Sequence, residues 1–453
     1  MKLIYGVKDK PKFGQLIVFA LQQLLAILAA TIAVPAIIGN GMSQSAALFG
    51  AGVGTIVYLL FTKFKSPVFL GSSFAFLGSM SAAFAGGVSA SVGYLGLIIG
   101  AAFAALVYII IALIVKFAGV RWITKLMPAV VIGPTVAIIG LSLAGNAVGD
   151  AISGAKNASG AFAMDAHSIA CLVCALITLA VVTLCSVYGK KMMKLIPFVI
   201  GILAGYAAAA IFTGIGTAAD IEAFKIIDFS KFSNMQWYPD FTFVKAFSGN
   251  YDFADGNIGT YIGTIAVAYI PVAFVVFAEH IADHKNLSSI IEQDLLENPG
   301  LHRTLLGDGV GSLVGALFGG CPNTTYGESV GCVAITGNAS VMTIFTTAIL
   351  AMLISFFAPF VTFLSTIPSC VMGGVCITLY GFIAVSGLKM LQNVDLGDNR
   401  NLFVASTILI TGVGGMALGF GKITLTSVAT ALILGILVNL MLNGKKNKGE
   451  KSE

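Results

Sequence analysis

The sequence predicts an all-α polytopic membrane protein: fourteen transmembrane segments in two inverted seven-segment repeats, with short extended stretches in segments 3 and 10. Three observations predict it. Of the 453 residues, 57% are hydrophobic and only 10% are charged, more apolar surface than a water-soluble core can enclose, so the surrounding solvent is lipid. The 53 glycines and 12 prolines suit a helical bundle, where small residues let helices approach and broken helices are tolerated if they line a protected cavity. The Lys and Arg residues fall in alternate loops, as in a chain that crosses a membrane many times.

Taken in order, segment 1 covers 13–38 and is a mainly apolar run that carries Gln22 and Gln23. It is long enough to span and lacks a convincing cleavage site, so no cleavable signal peptide is expected. Segments 2 to 7 cover 45–62, 67–86, 91–117, 122–145, 166–188 and 194–214. A polar stretch at 215–257 follows. Segments 8 to 14 cover 258–284, 303–320, 321–337, 339–364, 367–388, 401–419 and 423–443.

Basic residues mark the even-numbered exits. The amino end has Lys2, Lys8, Lys10 and Lys12; later exits have Lys63 and Lys65, then Lys116, Arg121 and Lys125, then Lys190, Lys191 and Lys194. Lys285 and Arg303 follow segment 8, Lys389 and Arg400 follow segment 12, and the tail at 444–453 carries Lys445, Lys446, Lys448 and Lys451. The short turn after segment 10 is the exception. Odd-numbered loops are nearly uncharged or acidic, and the stretch at 215–257 holds six Asp or Glu against three Lys. Both termini are therefore expected in the cytoplasm, and 215–257 outside it.

An internal repeat is visible. Segment 5 has Met127-Pro128 followed by Gly133, Gly140 and Gly145; segment 12 has Ile367-Pro368 followed by Gly373, Gly381 and Gly387. The offsets are 240 to 242. Segments 5 and 12 are seven apart, and seven crossings reverse direction, which predicts two halves of inverted topology with a binding site where they meet. Segments 3 and 10 hold matching places in these halves. Segment 3 begins Ser66-Pro67-Val68-Phe69-Leu70-Gly71-Ser72-Ser73, and segment 10 begins Cys321-Pro322-Asn323-Thr324-Thr325-Tyr326-Gly327. Proline, glycine and β-branched residues there disfavour plain helix. The reading is a pair of extended stretches, each leading into a half-helix whose free backbone N–H groups can bind carbonyl oxygens or anions; two short helices packed by small residues is the plainer alternative.

Few groups in these segments can carry chemistry. Glu328 is the only Asp, Glu, Lys or Arg between Asp308 and Lys389, in a segment too short to bring it comfortably to an interface. Segment 8 is uncharged from Ile258 to Ala278 and then reads Glu279-His280-Ile281-Ala282-Asp283-His284. Glu279 and Asp283 are four apart and share a helix face, a usable way to hold a transported proton; His280 and His284 form a second pair one residue further round. Glu279 reads equally as an ordinary charge at the cytoplasmic interface. Gln22 needs a partner inside the bundle, either near Glu279 or at a helix contact.

Other classes find little support. No nucleophilic triad, phosphate loop or dinucleotide fingerprint is present, and Gly307-Asp308-Gly309-Val310-Gly311 reads as close helix packing. Cys171 and Cys174 form a Cys-x-x-Cys without a second pair to complete a metal site, so the seven cysteines read as packing. The net charge of +5 sits mostly at segment ends and is no nucleic-acid signal.

Gly71-Ser72-Ser73-Phe74-Ala75-Phe76, Ala278-Glu279-His280, Asn298-Pro299-Gly300 with Gly307-Asp308-Gly309, and above all Pro322-Asn323-Thr324-Thr325-Tyr326-Gly327-Glu328 resemble the nucleobase-ascorbate transporter (nucleobase:cation symporter) family, and within it the bacterial uracil permeases. The resemblance implies a core domain of segments 1 to 4 and 8 to 11 (13–117 and 258–364) and a gate domain of segments 5 to 7 and 12 to 14 (122–214 and 367–443). It implies a base held by the carboxylates of Glu279 and Glu328 and the backbone N–H groups of Phe74 and Gly327, with Asp283, Gln22 and Tyr326 supporting the site or coupling the proton. Uracil offers two N–H donors and two carbonyl acceptors, which match carboxylates and amides.

Three positions depart from the pattern. Asp283 stands where uracil permeases can carry His, Ser329 where Asn usually follows the glutamate, and Gln22-Gln23 where Gln-His is usual. Gly331 and Thr336 are kept, and Gly337 occupies a place that is often basic.

The expected activity is secondary active import of uracil by proton symport through alternating access, with a xanthine or urate cation symporter as the alternative. A passive channel or an anion transporter of related architecture is a further class. Neither catalytic residues, a metal nor a cofactor is expected. The expected partners are uracil or a similar nucleobase, a coupling cation, H⁺, and the lipid bilayer of the inner (plasma) membrane. A homodimer is left open, and no nucleic acid is expected.

Overall fold

The computed structural model describes residues 3–119, 121–157, 159–190, 192–254, 257–420 and 423–443. The tail at 444–453 with its four lysines lies outside the described residues, as do Lys2 and Lys191. The chain opens with α1 (Phe13–Ile38) and α2 (Gln44–Phe61), then β1 (Leu70–Ser72), a 3₁₀ turn at Phe74–Phe76, α3 (Leu77–Ala83) and α4 (Ala90–Ala118). Next come α5 (Arg121–Leu126), α6 (Ala129–Ser142), α7 (Ala144–Ile152), α8 (Ala166–Tyr188), α9 (Met192–Leu195) and α10 (Pro197–Ala218). The polar stretch forms 3₁₀ turns at Glu222–Phe224 and Phe229–Asn234 and α11 (Thr242–Phe247). The second half has α12 (Ile258–Ile291), α13 (Leu301–Gly319), β2 (Asn323–Thr325), α14 (Gly327–Thr336), α15 (Val341–Ile354), α16 (Ala358–Thr366) and α17 (Ser369–Met390). It closes with α18 (Asn399–Val413), β3 (Leu418–Phe420), β4 (Ile423–Leu425) and α19 (Ser427–Asn443).

The molecule is a multi-pass, mostly helical membrane protein. Among the described residues, eight helices are long and apolar enough to cross a membrane, nine if α15 and α16 form one span. Their outward faces are apolar: Leu106, Ile110, Leu113 and Phe117 of α4 are exposed, as are Ile169, Leu176 and Leu184 of α8, the side chains lipid would cover. Short polar side chains start several helices, with Ser43, Ser89, Asp165 and Asn257 accepting from the N–H groups of Ala46, Val92, Ser168 and Thr260.

The structure redraws four of the expected segments. Segment 11 is two helices bent by 83°; α15 stops at Ile354, and Pro359 near the start of α16 cannot continue a helix from the preceding turn. Segment 13 ends at Val413, where Gly414 and Gly415 break the helix and the β3–β4 hairpin follows, pairing Leu418 with Leu425. Segment 5 runs on past 145, because α6 and α7 together form one span over Ala129–Ile152, with Leu143 between them still in the helical region. Segment 8 continues to Ile291, because its charged residues are helix-compatible and do not end it.

Two helix pairs meet through glycines. A Cβ added at Gly54 would stand 2.6 Å from Gly311 O, and one at Gly50 would stand 2.4 Å from Gly315 O, so α2 and α13 run antiparallel at backbone contact. Similarly, α6 and α17 run antiparallel, since Gly133 faces Gly387 while Gly140 faces Tyr380 and Ala384. Pro128 and Pro368 hold the same place, each just before the first residue of its helix.

Candidate functional site

The extended stretches of segments 3 and 10 are present as strands, and they pair with each other. β1 and β2 are antiparallel, with Leu70 opposite Thr325, Gly71 opposite Thr324 and Ser72 opposite Asn323. The ladder gains a bond at each end: Ser73 N–H donates to Pro322 O (2.9 Å), and Tyr326 N–H donates to Phe69 O (3.2 Å). Pairing satisfies backbone groups that an unpaired strand would leave orphaned at this depth. Each strand then turns into a helical start, the 3₁₀ turn at Phe74 and α14 at Gly327. Neither start has a side-chain cap. The first N–H groups of a helix have no partner within it, and those of Phe74 and Gly327 stand at these two starts.

Tyr326 holds the strands together. Its hydroxyl donates to Ser72 O at 2.8 Å, and its ring lies over Gly71, where an added Cβ would stand 2.3 Å from two ring carbons. Only glycine fits beneath that ring. Ser329, one turn along, accepts from Phe69 N–H (3.0 Å) and from Gln23 Nε2, tying α1, β1 and α14 together.

A cavity of about 360 Å³ opens against the strand ends. Phe74, Glu279, Asp283, Tyr326, Gly327 and Glu328 line its polar wall. The opposite wall is apolar, from Val136 and Ile139 of α6, Phe198 of α10, and Leu379, Ile383 and Met390 of α17. Lys194 of α9 is the basic residue on the lining. Three carboxylates thus face one small space. Thr325 Oγ1 donates to Asp283 Oδ2 at 2.8 Å, and Glu279 and Glu328 stand with it on the lining. A polar wall with few convergent groups and an apolar wall that excludes water is the usual make-up of a small-molecule site.

Glu279 stands twelve residues before the end of α12, so roughly 18 Å of helix lies beyond it at 1.5 Å per residue. It is not at the helix end. Gln22 is half-buried and does not line the cavity; its neighbour Gln23, 2% exposed, makes the contact with Ser329. Gln23, Ser329 and Thr325 support the site without being legible from sequence chemistry. A serine and a threonine in an apolar run carry no sign of which backbone they will meet.

The two histidines turn away from the cavity into a buried network. His280 Nδ1 lies 2.7 Å from Asp308 Oδ2, and its Nε2 lies 3.0 Å from Thr304 Oγ1. His284 Nδ1 lies 2.8 Å from His280 O and its Nε2 lies 2.7 Å from the Tyr58 hydroxyl, which donates to Ser66 Oγ at 2.7 Å. These bonds fix α12 against α13 and α2, and thereby the face that Glu279 and Asp283 present. Among the described residues, no group of three or more His, Cys, Asp or Glu can hold a metal ion.

The chain is similar to known proteins over nearly its whole length. A family model described as "Permease family" matches residues 14–419. The uracil permease of Bacillus caldolyticus is 40% identical over 99% of this chain and 97% of its own length. The uracil permease of Bacillus subtilis (strain 168) is 38% identical over 100% and 98%. A permease is a transport protein and not an enzyme. Among solved structures, the transmembrane domain of a cyanobacterium bicarbonate transporter, BicA, superposes with a TM-score of 0.62 at 15% identity, covering 96% of this chain and 99% of that one. At that identity the likeness is one of fold alone.

Proposed function

The chain belongs to the nucleobase-ascorbate transporter family, and from that membership we propose that it is a secondary active transporter importing uracil by proton symport through alternating access. The observation that carries the reading is the cavity at the junction of β1 and β2. Glu279 and Glu328 would accept from the two ring N–H groups of uracil, and the N–H groups of Phe74 and Gly327 would donate to its carbonyls. Tyr326 supports the pair of strands, Asp283 is the further carboxylate for the proton, and Gln22 lies with Gln23 on the supporting helix.

We read the fold as fourteen segments in two inverted halves, with a core domain (13–117 and 258–364) and a gate domain (122–214 and 367–443). The antiparallel pairing of β1 with β2, and of α6 with α17, supports this, because matched elements of the two halves then run in opposite directions. The polar wall of the cavity belongs to the core and the apolar wall to the gate, so sliding one domain on the other would expose the base to either side. The basic exits put both termini in the cytoplasm and 215–257 outside the plasma membrane. Fold likeness to a bicarbonate transporter does not extend to substrate, since three carboxylates in the cavity disfavour an anion.

Uptake of labelled uracil into proteoliposomes tests the reading. Accumulation under an inward pH gradient, without sodium and unaffected by excess xanthine, is the expected result. Accumulation driven only by a sodium gradient would overturn the proton, and displacement by xanthine would transfer the assignment to the purine carriers.

A further inference from the structure

A second chemical centre lies away from the cavity, where α8 and α17 begin side by side. The two helices run parallel at backbone contact: a Cβ added at Gly374 would stand 2.5 Å from Ala175 O and 2.9 Å from Thr178 Cβ. One turn earlier on each helix stand Cys171 and Cys174 of α8 and Cys370 of α17. Cys370 and Cys171 are both buried and line the same cavity. Cys171 also meets a base, since its Sγ lies 3.5 Å from His167 Nε2. His167 Nδ1 lies 2.9 Å from Ala223 O. A carbonyl can only accept, so Nδ1 carries the proton and Nε2 presents its lone pair to the thiol.

Thiol, base and orienting carbonyl form the arrangement that activates a nucleophilic cysteine. His167, Cys171 and Cys370 line one cavity of about 260 Å³, together with Ser153, Asp228 and Lys231. All three thiols are buried, at 2%, 0% and 1% exposed for Cys171, Cys174 and Cys370, and Cys174 does not line the cavity. The described residues hold no metal-binding group of three or more, so the chemistry open to this cluster is that of thiols. None of these residues belongs to the uracil site.

We propose that Cys171 is a nucleophilic thiol that exchanges with disulfides entering this cavity, and that Cys370 resolves the mixed disulfide into a Cys171–Cys370 bridge joining α8 to α17. In the first step the Cys171 proton passes to His167 Nε2 and the thiolate attacks one sulfur of a disulfide RSSR. The S–S bond of the reagent breaks, and one RS leaves as RSH with the proton from His167. In the second, Cys370 attacks the Cys171 sulfur, and the other RS leaves as RSH with the Cys370 proton. Two protein thiols are oxidised and one external disulfide is reduced to two thiols. On the orientation proposed above, this cavity opens outside the cytoplasm, where disulfides persist; the chemistry itself does not depend on that orientation.

The test uses the purified full chain, reduced and then mixed with 4,4′-dithiodipyridine. Wild type is expected to release two thiopyridones in a fast phase, lose the mass of two hydrogens, and yield a Cys171–Cys370 linked peptide. Cys370→Ser should stop at the mixed disulfide, with one thiopyridone released and the adduct retained on Cys171. Cys174→Ser should still form the bridge. His167→Gln should slow the fast phase by about 10²-fold, as loss of a general base does. A Cys171 that reacts no faster than the other cysteines, or a bridge that survives in Cys370→Ser, would overturn the proposal. The readouts are independent of uracil transport, so they fail or succeed apart from that assignment.

Discussion

His280 Nδ1 and Asp308 Oδ2 stand 2.7 Å apart with both side chains enclosed, 0% and 1% exposed, about a quarter-turn round α12 from the face that carries Glu279 and Asp283. The contact joins α12 to α13 and sets the rotation of α12 about its axis. Removing one partner leaves the other polar and buried, which costs about 3–5 kcal/mol if the partner left behind is charged. His280→Ala is therefore expected to lower the thermal midpoint of the detergent-solubilised protein well beyond any single cavity-lining substitution. An unchanged midpoint by fluorescence thermal shift would remove the network from the account of stability.

Glu328→Gln keeps the shape of the side chain and exchanges a carboxylate acceptor for an amide. A hydrogen bond to a charged group contributes about 1.5–3 kcal/mol, so uracil affinity should fall by roughly ten- to a hundredfold, and Glu279→Gln should behave alike. Equilibrium binding of labelled uracil, with the thermal midpoint measured in parallel, separates loss of the site from loss of the fold. Wild-type affinity in the folded Glu328→Gln protein would sink the uracil assignment.

Tyr326 makes two contacts that substitution can separate. Tyr326→Phe loses only the hydroxyl bond to Ser72 O, about 1 kcal/mol, and should retain most uptake. Gly71→Ala drives a methyl into the Tyr326 ring, whose atoms would lie 2.3 Å from it, and should abolish uptake by forcing the strands apart. Equal uptake in the two variants would show that the ring has room to move.

The glycines divide by what surrounds them. Gly54→Ala and Gly311→Ala each place a methyl 2.6 Å from a backbone oxygen of the facing helix and are expected to destabilise by a few kcal/mol, of the order seen for overpacked cores. Gly381, also within a helix, has nothing within 4 Å of an added Cβ. Gly381→Ala should be neutral or stabilising by about 0.5–1 kcal/mol. Paired thermal-shift measurements on the three variants decide whether α2 and α13 meet as closely as their backbones imply.

Composition and basic-residue placement made the membrane legible, because burial in lipid constrains every residue of a span alike. Pro322, Gly327 and the threonines between them made the extended break in segment 10 legible, since each works locally on the backbone. The orientation of His280 was not. It is one residue beyond Glu279, a rotation of about 100° on a helix of 3.6 residues per turn, and nothing local says which side meets Asp308 or Tyr58. Gln23 rather than its neighbour meets Ser329 for the same reason. The bend before α16 had a signal in Pro359, and the β3–β4 hairpin had one in Gly414 and Gly415, but both lie inside apolar runs that hydropathy reads as continuous spans.

The bond from Tyr326 to Ser72 joins residues 254 positions apart in the chain, and that separation has a consequence in time. A ribosome adding ~5–20 residues per second makes the second strand about 13–50 s after the first. Through that interval the peptide groups of β1 sit in a membrane with no partner strand, a state lipid penalises by several kcal/mol per group. The nascent first half must therefore be sheltered by water, by its own helices or by the insertion machinery until residue 325 arrives. Truncation before that point should leave a chain that inserts and is then cleared, rather than a half-transporter that waits.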